Sequence, residues 1–79
     1  MKLIIRTNCS KCETVLNSIN NIFNDKDIKE YLDIIDKKDL PINERDDLRT
    51  LPTLITVNGL ETNINHIINC IVEYLFDKL

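Results

Sequence analysis

The sequence predicts a small α/β domain, a four-stranded mixed sheet flanked by three helices in the order βαβαββα. Three observations carry that prediction. A continuous apolar run, "LII" at 3–5, stands near the N-terminus; it is too short for a helix and suits a strand buried on both faces of a parallel or mixed sheet. Two stretches, Val15 to Phe23 and Ile64 to Leu79, repeat apolar residues at three and four, the period of an amphipathic helix. Between them "TLITV", 53–57, is rich in β-branched residues and leads into Asn58-Gly59, the strongest short hairpin signal.

Residues 2–5 form the expected first strand, and 7–12 the loop into a helix. From Cys12 the positions Val15, Leu16, Ile19, Ile22 and Phe23 make one apolar stripe, and Asp25 follows as a break. Cys9 then falls at the helix N-terminus and Cys12 in the first turn. The next stretch is ambiguous: Ile28, Tyr31, Leu32 and Ile35 keep helical spacing, while Leu32 and Ile34 alternate with Asp33 as a strand would. Topology favours a strand near 30–35, because strand, crossover helix and parallel strand form the unit that covers both faces of "LII".

Pro41 fits the first turn of a short helix running to about Leu48, and Pro52 forces an extended approach through Leu51. After the strand at 53–57, a type I′ turn with positive φ at both Asn58 and Gly59 is expected, then a short antiparallel strand at 60–62. The last helix starts near Asn63, which can cap it, and carries Ile64, Ile67, Ile68, Ile71, Val72, Leu75 and Leu79 on one stripe. No internal repeat interrupts this pattern.

Composition bounds the function. Seventy-nine residues make one domain, 1–79, with no room for a second. The net charge of −3 arises wholly between Asp25 and Arg49, where nine acids face six bases. Nucleic acid is a poor partner for such a chain, since phosphate binding needs a basic face, and the charges of "DKDIKEYLDIIDKKD" read as a solvated surface. Arg6 interrupts the opening apolar run far short of a signal or membrane segment, so a cytoplasmic monomer with no membrane partner is expected. Three cysteines, an odd number, do not suit a disulfide-stapled secreted domain. In a reducing compartment "CSKC", 9–12, reads as redox chemistry or as metal binding. Zinc is the competing reading, because His66 and Cys70 could complete a set of four ligands. Helical periodicity opposes it by placing both on the face turned away from the core, with Cys70 a partly covered surface thiol.

The element order, with "CSKC" after the first strand and "LRTLPTLITVNGLE" at 48–61, resembles the thioredoxin-like superfamily, in particular glutaredoxins and glutaredoxin-sized thioredoxins. The resemblance covers nearly the whole chain. It implies a thiol–disulfide oxidoreductase in which Cys9 is the exposed nucleophile and Cys12 the resolving thiol. The thiolate at a helix N-terminus would be favoured by the unsatisfied N–H groups and the dipole, helped by Arg6 and Lys11. Arg6 matches a basic residue common at that place in glutaredoxins, although a plain solvent-facing charge at a strand end is its other reading. Pro52 matches the family's cis-proline, with Leu51 before it offering backbone hydrogen bonds to a substrate chain.

The same resemblance implies a disulfide-containing protein substrate, no bound cofactor, and glutathione or a flavin-dependent thioredoxin reductase as electron donor. The sequence departs from the family in three places. Ser10-Lys11 replaces the usual Gly-Pro or Pro-Tyr pair, the Trp before the motif is missing, and Leu60-Glu61-Thr62-Asn63 stands where glutaredoxins carry Gly-Gly and an Asp. Glutathione is therefore expected to be the weaker donor, with Thr62 and Asn63 at a helix N-terminus as the remaining carboxylate-binding candidates. A non-catalytic thioredoxin-like binding module is a further alternative.

Overall fold

The computed structural model describes residues 1–24, 28–46, 48 and 50–78. The break expected at Asp25 and the last stripe position, Leu79, lie outside the described residues. In chain order the elements are β1 (Lys2–Ile5), α1 (Ser10–Ile22), β2 (Asp33–Asp36), α2 (Ile42–Asp46), β3 (Thr53–Thr56), β4 (Gly59–Glu61) and α3 (Ile64–Lys78), with 3-10 turns at Ile28–Glu30 and Lys37–Asp39. The architecture is mixed α/β, with one four-stranded sheet ordered β2-β1-β3-β4 and three helices. β1 pairs in parallel with β2 and antiparallel with β3, and β3 pairs antiparallel with β4. Among the described residues no helix is long and apolar enough to cross a membrane.

Successive strand side chains point to opposite faces, which is why Leu3 and Ile4 are both fully buried yet serve different cores. Leu3 and its register partner Leu54 join Val15, Ile19, Phe23, Leu32, Ile67, Ile71 and Leu75 in the main cluster beneath α1 and α3. Burying one such side chain is worth about 1.5–3 kcal/mol, so this cluster is the main driving term for the fold. Ile4 turns to the other face and lines a cavity of about 220 Å³ with Leu40, Leu48, Ile55 and Leu60.

Both long helices are capped, α3 by the residue expected to cap it. The Cys9 side chain caps α1. At α3, Asn63 Oδ1 accepts the His66 N–H at 3.1 Å, and the Asn63 carbonyl accepts from Ile67 at 2.8 Å. The stripe of α1 is narrower than predicted, since Ile22 is 47% exposed while Val15 and Ile19 are fully buried.

Two local expectations are corrected. The second strand occupies Asp33–Asp36, not 30–35, because the helical spacing before it is used by a single turn in which the Tyr31 and Leu32 N–H groups both bond to the Ile28 carbonyl. That turn carries Ile28 and Leu32 into the core. The hairpin is also shifted by one residue. Thr56 pairs with Gly59, so Val57 and Asn58 form its tip, and of the two residues expected to have positive φ only Gly59 does, at 121°. The Thr56 hydroxyl closes the loop, accepting from the Asn58 N–H and donating to the Gly59 carbonyl. A Cβ on Gly59 would meet nothing within 4 Å, but this backbone region disfavours every other residue. Gly59→Ala is therefore expected to lower the unfolding free energy by about 1–2 kcal/mol, read from denaturant midpoints at unchanged slope.

Candidate active site

Strand direction gathers the site. Because β1 and β2 are parallel, their C-terminal ends, Ile5 and Asp36, lie side by side. β3 runs the other way and enters the sheet at this same edge, Thr53 opposite Ile4. β4 reverses again, so Glu61 lies opposite Leu54 near this edge and delivers Thr62, Asn63 and the start of α3. The loop before α1, the turn after β2, the segment before β3 and the α3 N-terminus thus converge although they are far apart in sequence.

Asn8 turns the chain with φ 60°, a conformation that Asn tolerates better than most residues. Thr7 donates to the Asp36 carboxylate at 3.2 Å, tying the loop to the end of β2. Cys9 follows in extended conformation as the N-cap of α1, and its Sγ accepts the Cys12 N–H at 3.2 Å. On its other side Sγ lies 4.0 Å from the Leu51 carbonyl oxygen. The Leu51–Pro52 peptide bond is cis, the isomer that the family resemblance implies. Thr53 donates through its hydroxyl to the Thr50 carbonyl, closing the turn that holds this segment.

The two thiols are electrostatically unequal. Burial disfavours the Cys9 thiolate, but hydrogen bonds from the Cys12 thiol and N–H, the Arg6 charge and the Lys11 N–H outweigh it, holding the Cys9 pKa below the ordinary thiol value. Burial first, and then donation of its own proton to Cys9, push the Cys12 thiol up to about 11, against the backbone N–H and charge of Arg6. The thiolate is therefore favoured at Cys9 over Cys12, whose proton is held.

Cys9 is less exposed than the expected nucleophile, at 7% against 1% for Cys12. The Leu51 segment, forty-two residues away in sequence, closes over it. The asymmetry of the pair is therefore mainly one of charge and only slightly one of access.

A cleft of about 350 Å³ is lined by Lys11, Thr50, Leu51, Thr62, Asn63, Ile64 and Asn65. It joins four of the residues singled out in the sequence as substrate-binding: Lys11, Leu51, Thr62 and Asn63. Lys11 acts on Cys9 through its backbone N–H, while its exposed side chain reaches the cleft. Pro52 is fully buried, which leaves Leu51 at the surface. Two donors at the α3 N-terminus are occupied by the chain itself: Glu61 Oε1 accepts the Asn63 N–H at 3.1 Å, and Asn63 Oδ1 takes His66.

Arg6 belongs to a second cleft, of about 310 Å³, with Thr7, Asp36, Lys37, Lys38 and Arg45. Asp36, Lys37 and Lys38 were read in the sequence only as solvated charges, and Arg45 was given no role. The signal that could have found the first three is their place, at and directly after the end of the strand parallel to β1 and so at the end of the sheet that bears the cysteines.

No known protein family, curated protein or solved structure matches the chain. Among the described residues no three of His, Cys, Asp and Glu are grouped to hold a metal ion. His66 is exposed, 3.7 Å from the Glu61 carboxylate. Cys70 is half-buried against the core and lines a separate groove with Met1, Ile55 and Tyr74.

Proposed function

We propose that the chain is a dithiol–disulfide oxidoreductase with a thioredoxin-like fold of glutaredoxin size. The observation that carries this reading is the Cys9 sulfur at the head of α1, accepting the Cys12 N–H at 3.2 Å while the Cys12 thiol is held protonated beside it. The Leu51 segment beside Cys9, and the resemblance of "CSKC" and "LRTLPTLITVNGLE" to the family motifs, support it further.

The Cys9 thiolate attacks one sulfur of a substrate disulfide, forming a mixed disulfide and expelling the other sulfur as a thiolate, which takes a proton from solvent. Cys12 then gives up its proton to solvent and attacks Cys9 Sγ. The Cys9–Cys12 disulfide forms, and the second substrate thiol leaves. Two electrons pass from the protein dithiol to the substrate, and glutathione or a flavin-dependent reductase returns them. Forming the mixed disulfide takes away the Cys9 thiolate to which Cys12 donates, and so one of the causes, after burial, that raise the Cys12 pKa; attack by Cys9 thereby favours resolution by Cys12.

Assay with the two donor couples tests this reading. Turnover is expected with at least one, and more weakly with glutathione. The Glu61 carboxylate already takes the Asn63 N–H and would repel a glutathione carboxylate arriving at the α3 N-terminus. Stronger turnover with glutathione would overturn that reading of 60–63, and no turnover with either would leave a non-catalytic binding module.

A further inference from the structure

The cleft that starts at Arg6 is unlike the rest of the molecule. Its described walls carry four cations, Arg6, Lys37, Lys38 and Arg45, against one carboxylate, Asp36. That is a net +3 in a chain of −3, so the remaining residues together carry −6. Two of the cations are positioned by neutral groups. Lys37 Nζ donates to the Leu48 carbonyl at 2.7 Å, and the Arg45 guanidinium donates to the carbonyls of Leu40 at 2.7 Å and Lys38 at 2.5 Å. Such bonds fix a charge in place without cancelling it. The one carboxylate is engaged, accepting from the Thr7 hydroxyl at 3.2 Å and the Lys38 N–H at 3.0 Å. The cleft adjoins the loop that leads to the reacting centre, since Arg6 and Thr7 stand three and two residues before Cys9.

We infer that this cleft docks an acidic segment flanking the disulfide of a protein substrate. The inference rests on the oxidoreductase reading, and it names the substrate class for that site. A single carboxylate would meet only some of these cations, whereas a run of Asp or Glu meets charges contributed by the loop after β1, the turn after β2 and α2 together. The described side chains outside the cleft carry eight acids against four bases, a net −4 that repels such a segment, so an acidic partner is steered toward the cleft.

The test uses the reduced wild-type protein and peptides of one sequence, each with its cysteine in a mixed disulfide with a chromogenic thiol and flanked by Glu, Gln or Lys. At low salt the Glu peptide is expected to react about tenfold faster than the Gln peptide, with Lys slowest. The gap should close near about 1 M salt, where the Debye length is about 3 Å. Lys38→Glu, at an exposed side chain, should bring the Glu-to-Gln ratio to about one or below.

Fluorescence anisotropy with matching peptides carrying Ser for Cys reads docking apart from chemistry. Tighter, salt-sensitive binding of the Glu version with no peptide reacting would uphold the docking and sink the redox reading. Reaction of all peptides at equal rates, with equal affinities, would overturn the docking and leave the redox reading intact. Displacement of the Glu peptide by free glutathione at comparable affinity would overturn it in favour of a small carboxylate ligand.

Discussion

Replacing Cys9 with Ser is expected to reduce disulfide exchange to the uncatalysed level. The nucleophile in this chemistry is a thiolate, and a serine hydroxyl does not ionise near neutral pH even at a helix N-terminus. The fold should survive, because a Ser Oγ at the N-cap accepts the Cys12 N–H as the sulfur does and is among the preferred caps. Lost exchange with an unchanged urea midpoint would separate chemistry from stability. Exchange retained in this variant would mean that Cys12 or Cys70 carries the reaction.

Replacing Cys12 with Ser is expected to arrest the reaction half-way. Cys9 still attacks, and the Ser hydroxyl can still donate to its sulfur, but no internal thiol remains to release the substrate. A covalent mixed disulfide at Cys9 should accumulate to near-stoichiometric amount and report the natural partner by mass. Cys12→Ala gives a useful contrast. It also blocks resolution, but removes a hydrogen bond that lowers the Cys9 pKa, so its attack rate at neutral pH should fall below that of Cys12→Ser. Equal rates in the two variants would show that the Cys12 donor does not tune Cys9.

Much of this was legible in the sequence, for reasons that can be named. Val15 and Ile19 of α1, and Ile67, Ile71 and Leu75 of α3, are spaced at four, and all are fully buried because helical periodicity is set by local geometry. Asn63 caps α3 as its residue type predicts. Cys9 and Cys12 meet because an N-cap side chain reaches the N–H three residues on. What escaped depends on distant pairing. The start of β2 was displaced because Ile28 and Leu32 needed one helical turn to reach the core. The hairpin tip moved to Val57-Asn58 because strand register put Gly59 opposite Thr56. Leu51 lies against Cys9 from forty-two residues away, and the cationic cleft gathers residues from two strand-to-helix connections and α2. Neither pattern has a local period to betray it.

The inequality of the two thiols is the centre of this account, and residue-resolved alkylation as a function of pH tests it most directly. The reduced protein is treated briefly with a neutral alkylating reagent across pH 5 to 11, and modification at Cys9, Cys12 and Cys70 is quantified by mass spectrometry after digestion. Cys9 is expected to react first at neutral pH, with its rate rising through a midpoint below the ordinary thiol value. Cys12 should stay unmodified until the pH nears about 11. If Cys12 reacts before Cys9 at neutral pH, or if the two titrate together, the proposed division into attacking and resolving thiols is wrong.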